Sequence, residues 1–134
     1  MADKEEAMVS YRAILTRLGN LTPEEVDQLV ALEFSERGSI KSQVRRLYLR
    51  LKSEYPRRAE QMKQETDPLL KREINSQEEV KKLCGVLSQY HFGFLIYFKG
   101  SSYGGFRTVK LTVFYEDGSS DIVQVDKPDG LPSD

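Results

Sequence analysis

Apolar positions recur at two different periods along this chain of 134 residues. Up to about Tyr90 they return every three or four residues, the spacing of a helix buried on one side; beyond it they return every second residue, as in a strand. In the first segment Met8, Tyr11, Ile14, Leu15 and Leu18 predict a helix over 3–18 with those side chains inward, closed at Gly19 and Asn20, which tolerate a left-handed backbone. Thr22, Pro23 and Glu25 then spell a capping box with proline in the first turn, and Leu21 and Val26 stand at staple positions. That second helix continues through Leu29, Val30 and Phe34 until SERG breaks it.

The stretch from Gly38 to Pro56 is the longest uninterrupted helical pattern. Ile40, Val44, Leu47, Tyr48, Leu51 and Tyr55 form its apolar stripe, Ser39 can cap it, and Pro56 stops it by disfavouring helical geometry in the preceding residue. Its other side carries Lys41, Arg45, Arg46, Arg50 and Lys52, with Leu49 almost opposite the stripe, where it reads as either a lone exposed leucine or a contact surface. RRAEQMKQE is a further short helical stretch that adds Arg57, Arg58 and Lys63. Thr66 and Pro68 then signal another start, with Leu69, Leu70 and Ile74 returning inward. Ser76 and Glu79 are spaced to open a last helix with Val80, Leu83, Cys84, Leu87 and Tyr90 inside.

The strand-like part begins with Phe92, Phe94, Ile96 and Phe98 on one face and Leu95 and Tyr97 on the other, the pattern of a strand central in its sheet or covered by helices. Lys99–Phe106, rich in Gly and Ser, reads as a mobile loop with Tyr103 at its tip between Lys99 and Arg107. Val109, Leu111, Val113 and Tyr115 alternate with Thr108, Lys110 and Thr112; Asp117 and Gly118 supply a turn; and DIVQV returns. The expected fold is α+β in a single domain over 1–134: four to five helices over about 3–90, a three-stranded antiparallel meander over 91–126, and a loose tail over 127–134.

A hydrophobic content of 39% fits a chain that buries a core without staples. The single cysteine, Cys84, cannot form an internal disulfide, no apolar run reaches the roughly 20 residues of a membrane span, and the opening MADKEEAM is charged; a cytoplasmic protein with no membrane partner is the default. The net charge of -1 conceals a segregation. Residues 37–72 hold 11 Lys+Arg against 4 Asp+Glu, a balance of +7, whereas 1–36 stand at -5 and 73–134 at -3. A field of that kind suits a phosphate backbone or an acidic protein surface. The plainer reading is that those charges pair with the acidic flanks on folding, Glu24, Glu25, Glu33 and Glu36 being the nearest candidates.

Catalytic chemistry finds no support. With His91 the only histidine, neither a His-based metal cluster nor Cys-His zinc spacing can form, no phosphate-binding or nucleophile-elbow motif is present, and no cofactor is implied. A helix-turn-helix comparison with Gly38 at the turn puts Val44 and Leu47 at packing positions but bulky Phe34 where a small residue belongs and Ser39 where an apolar one does. Ser101 and Ser102 interrupt any RNA-recognition octamer.

The expected function is therefore a small non-enzymatic accessory or regulatory protein that binds nucleic acid through residues 37–63, with Lys41, Arg45, Arg46, Arg50, Lys52, Arg57 and Arg58 on phosphates and Tyr103 and Arg107 as a second contact. The alternative is an adaptor or inhibitor that docks the same basic face on an acidic protein, with Leu49 as its anchor. A homodimer through the sheet edge or the first helix is compatible with either.

Overall fold

The computed structural model describes residues 3–36, 38–91, 93–105 and 110–124. Five α-helices precede an antiparallel sheet: α1 (Lys4–Leu18), α2 (Pro23–Phe34), α3 (Ile40–Glu54), α4 (Pro56–Thr66), a 3-10 turn at Asp67–Leu70, α5 (Gln77–Leu87), then β1 (Phe94–Phe98), β2 (Ser101–Gly105), β3 (Lys110–Phe114) and β4 (Ser120–Gln124). The α+β class and the order of helices before sheet follow the pattern of the sequence, with four strands in place of three. The tail over 127–134, Arg107, and the strand residues Phe92 and Val109 lie outside the described residues. Two compact units divide the chain, Met1–Ala59 and Glu60–Ser133, and the division falls within α4, not at the change from helix to strand.

In the first unit α1, α2 and α3 each begin where a side chain accepts from one of the unpaired N–H groups of the first turn. Asp3 accepts from the Glu6 N–H at 2.8 Å, and Gly19 closes α1 at φ 73°. Thr22 and Glu25 form the reciprocal capping box of α2, and Ser39 accepts from the Ser42 N–H to open α3. Tyr55 leaves helical geometry (φ -134°, ψ 75°), as a residue before proline must, and Pro56 starts α4. The core takes Leu15 from α1, Val26, Leu29 and Val30 from α2, and Val44, Leu47, Tyr48 and Leu51 from α3.

Two expectations about the inward-facing stripes fail in this unit. Of the predicted α1 stripe only Leu15 is buried, while Ile14 is 50% and Leu18 43% exposed, because the narrow face that meets α2 and α3 centres on Leu15 and Tyr11. Tyr55, predicted inward, is also exposed. Tyr11 meets Phe34 edge-on, with ring centroids 6.1 Å apart, and Asn20 Nδ2 donates to the Ser53 carbonyl at 2.8 Å, tying the ends of α1 and α3 together.

In the second unit the sheet runs in the order β1-β2-β3-β4. Register aligns Ile96, Tyr103 and Val113 in one row across three strands, all fully buried, and α5, which packs on these strands, turns Val80, Leu83, Cys84 and Leu87 inward. The Gly/Ser segment is thus not a loop. Lys99 (φ 48°) and Gly100 (φ 83°) both take positive φ, making the two-residue turn that matches strand twist, and Ser101–Gly105 pairs at once as β2. Gly104 is needed within that strand, since a Cβ there would lie 2.8 Å from the Phe94 carbonyl oxygen. β1 lies at the edge of the sheet, not its centre; its apolar second face is carried by the half-buried Leu95 and Tyr97. Thr66 does not cap the turn that follows it; its hydroxyl donates back to the Lys63 carbonyl instead.

Candidate functional site

The helix predicted to present a basic face brings its cations to α2. They stand on the two flanks of the stripe formed by Val44, Leu47 and Leu51. On one flank Arg45 Nε donates to Gln28 Oε1 at 3.0 Å and Lys52 Nζ meets Glu25 Oε2 at 2.8 Å; both cations also lie over the Tyr48 ring, at 5.2 and 5.9 Å from its centroid. On the other flank Arg46 and Arg50 converge on Glu33 Oε1 at 3.8 and 3.4 Å. Neither guanidinium gives that buried oxygen an aligned hydrogen bond, so its charge is balanced at ion-pair distance only. Arg12 and Asp27 pair between α1 and α2.

The electrostatics centre on Glu25. Burial pushes its carboxyl up, but the Lys52 ammonium and the Thr22 backbone and hydroxyl together outweigh that and hold it below the ordinary glutamate value. Tyr11 is pushed up to about 12, first by burial and then by the Glu33 carboxylate.

The remaining predicted residues do not join one surface. Lys41 is exposed at the start of α3, while Arg57 is exposed and Arg58 half-buried beyond its other end, with the Arg58 guanidinium 5.8 Å from the Tyr55 ring. A helix of 15 residues separates the two groups by about 22 Å. Leu49, predicted as an anchor, is 0% exposed, because α3 is buried on more of its circumference than the apolar stripe implies, Gln43 and Ser53 included. Tyr103, predicted at a loop tip, is also 0% exposed, in the row facing α5; its hydroxyl finds no hydrogen-bond partner among the described residues, and burial followed by the neighbouring Cys84 pushes its pKa up. Arg107 is outside the described residues. Cys84 is fully buried and its thiol is pushed far up by that burial, so it is not a ready thiolate. His91 is half-buried, edge-on to Phe94 at 6.4 Å.

Two features escaped the sequence reading. Gln28 serves as a partner of Arg45 because α2 and α3 pack with it beside that arginine, which only the helix-helix geometry reveals; Glu33 stands among the acidic candidates of the plainer sequence reading. The exposure of Val9, Ile14 and Leu18 on α1 is the other, since periodicity marks an apolar stripe without saying how wide its partner is. Among the described residues no group of three or more His, Cys, Asp and Glu could hold a metal, and no helix is long and apolar enough to cross a membrane. Comparison with protein-family models, with curated proteins and with solved structures finds no match for this chain.

Proposed function

We propose that this chain is a non-enzymatic protein-interaction module and that the basic helix is a structural element of it. The engagement of Arg45, Arg46, Arg50 and Lys52 by Gln28, Glu33 and Glu25 carries this reading. Residues 1–59 together hold 11 Lys+Arg and 9 Asp+Glu, a balance of +2, so the +7 of residues 37–72 is largely cancelled within the unit that contains α3. A balance of +2 draws a polyanion weakly. Exposed apolar side chains on α1, with Val9 68% exposed, offer contact area of another kind.

The nucleic-acid reading keeps Lys41 and Arg57, which are exposed, and Arg58 beside Arg57. Fluorescence anisotropy with short single- and double-stranded DNA and RNA, at low and physiological salt, separates the two. The interaction-module reading predicts no binding to any of the four at physiological salt. Salt-sensitive binding that is lost in a folded Arg45→Glu/Arg46→Glu/Arg50→Glu variant would overturn it.

A further inference from the structure

Only one of the 15 residues of α1, Leu15, is buried, although the helix carries Val9, Ile14 and Leu18 in addition to its half-buried Ala7, Met8 and Tyr11. At 100° per residue Ala7, Ser10, Ile14 and Leu18 share an arc of about 80°, next to the side that meets α2. Glu6 and Arg17 border this arc on the same side, one in the first turn and one in the last. Val9 lies outside it.

We propose that this face of α1 docks against α1 of a second copy of the chain, the two helices running antiparallel about a two-fold axis near residue 12. The inference rests on the interaction-module reading and names its partner. In that arrangement residues whose numbers sum to about 24 oppose one another. Leu18 then lies over Ala7 of the second copy and Ile14 over its Ser10, so each large side chain meets a small one that leaves room for it. Glu6 comes beside Arg17 of the second copy, and by symmetry this happens twice. The helix dipoles also run in opposite senses. A parallel pairing would instead set Ile14 on Ile14 and carry Glu6 and Arg17 of the two copies to opposite flanks, so that neither meets an opposite charge on the other copy. The order of size and charge along α1 therefore fits a copy of itself in one orientation.

One pair of helices of this length buries less than the roughly 1,200 Å² at which stable interfaces begin, so the dimer is weak and forms at high protein concentration.

Sedimentation velocity from about 20 μM to about 1 mM, a range that brackets weak association, tests the proposal on four samples: wild type, Glu6→Arg, Arg17→Glu, and an equimolar mixture of the two variants. Wild type should shift from monomer toward dimer across that range, and less so in 0.5 M salt. Each variant alone should associate roughly tenfold more weakly, because both charge contacts become repulsive. The mixture should recover, since the arginine introduced in one variant then faces the glutamate introduced in the other. Circular dichroism of each variant confirms that α1 remains folded, and recovery in the mixture cannot arise from a folding defect. A wild type that stays monomeric at about 1 mM, or a dimer that neither variant weakens, would overturn the α1 interface. The interaction-module reading falls separately, on the nucleic-acid measurement.

Discussion

Glu25 and Lys52 meet at 2.8 Å, Oε2 to Nζ, while Oε1 of the same carboxylate accepts the Thr22 N–H at 2.9 Å. One side chain thereby caps the start of α2 and fastens the end of α3 to it. Replacing it with glutamine keeps an oxygen for the cap and removes the charge, which isolates the contact to Lys52. Glu25→Gln should cost about 0.5–1 kcal/mol in urea unfolding at pH 7.

The same contact sets a pH dependence. The folded Glu25 carboxyl lies below its ordinary value, so the unfolded state binds its proton first as pH falls. Its contribution is present above the unfolded pKa and is lost as pH drops through the folded one. The stability gap between wild type and Glu25→Gln should therefore be full at neutral pH and close in acid. Unfolding curves at a series of pH values check this; a gap that widens in acid would contradict the assignment.

Tyr103 gives a prediction of opposite sign. Its hydroxyl is buried without a hydrogen-bond partner among the described residues, and such a group costs about 1–3 kcal/mol to keep. Tyr103→Phe should be neutral or stabilising by about 1 kcal/mol, whereas Tyr103→Ala should lose about 3–5 kcal/mol by leaving a cavity. Thermal or urea unfolding of both variants checks the pair. Equal, near-zero effects would return Tyr103 to the loop tip that sequence composition suggested.

Much of the helical half was legible because its signals are local. Thr22 with Glu25, Ser39, and Ser76 with Glu79 each act within a few residues of where they stand, and the structure shows each cap made. β2 was illegible for the complementary reason. Gly104 is required by a neighbouring strand's carbonyl, and Lys99 takes a positive φ that its residue type does not advertise, so composition spelled a loop. For the basic face, Glu25 and Glu33 were legible as candidate partners from charge alone, whereas Gln28, and which cation each partner takes, depend on how α2 packs against α3.

The turn offers a further check. Asparagine tolerates positive φ better than lysine does, and Asn-Gly is the preferred pair for this turn type. Lys99→Asn should stabilise by about 0.5 kcal/mol, a gain reduced by the lost bond from Lys99 Nζ to the Asn75 carbonyl. Denaturant midpoints of the two proteins measure it.

If nucleic acid binds at all, the salt dependence counts the cations involved. Lys41 and Arg57 alone give a log-log slope on the order of -2, while all seven predicted cations give about -6 on duplex DNA. The engaged state of α3 predicts the smaller value, and anisotropy titrations over a salt series read it directly.

The most direct measurement is the stability of Arg45→Glu/Arg46→Glu/Arg50→Glu in urea at neutral pH and low salt. Cations that hold α2 make this reversal destabilising, by about 1–3 kcal/mol, because contacts to Gln28 and Glu33 are lost or become repulsive. A variant as stable as wild type, or more stable, would contradict the account, since residues kept for an outside partner hold no fold together.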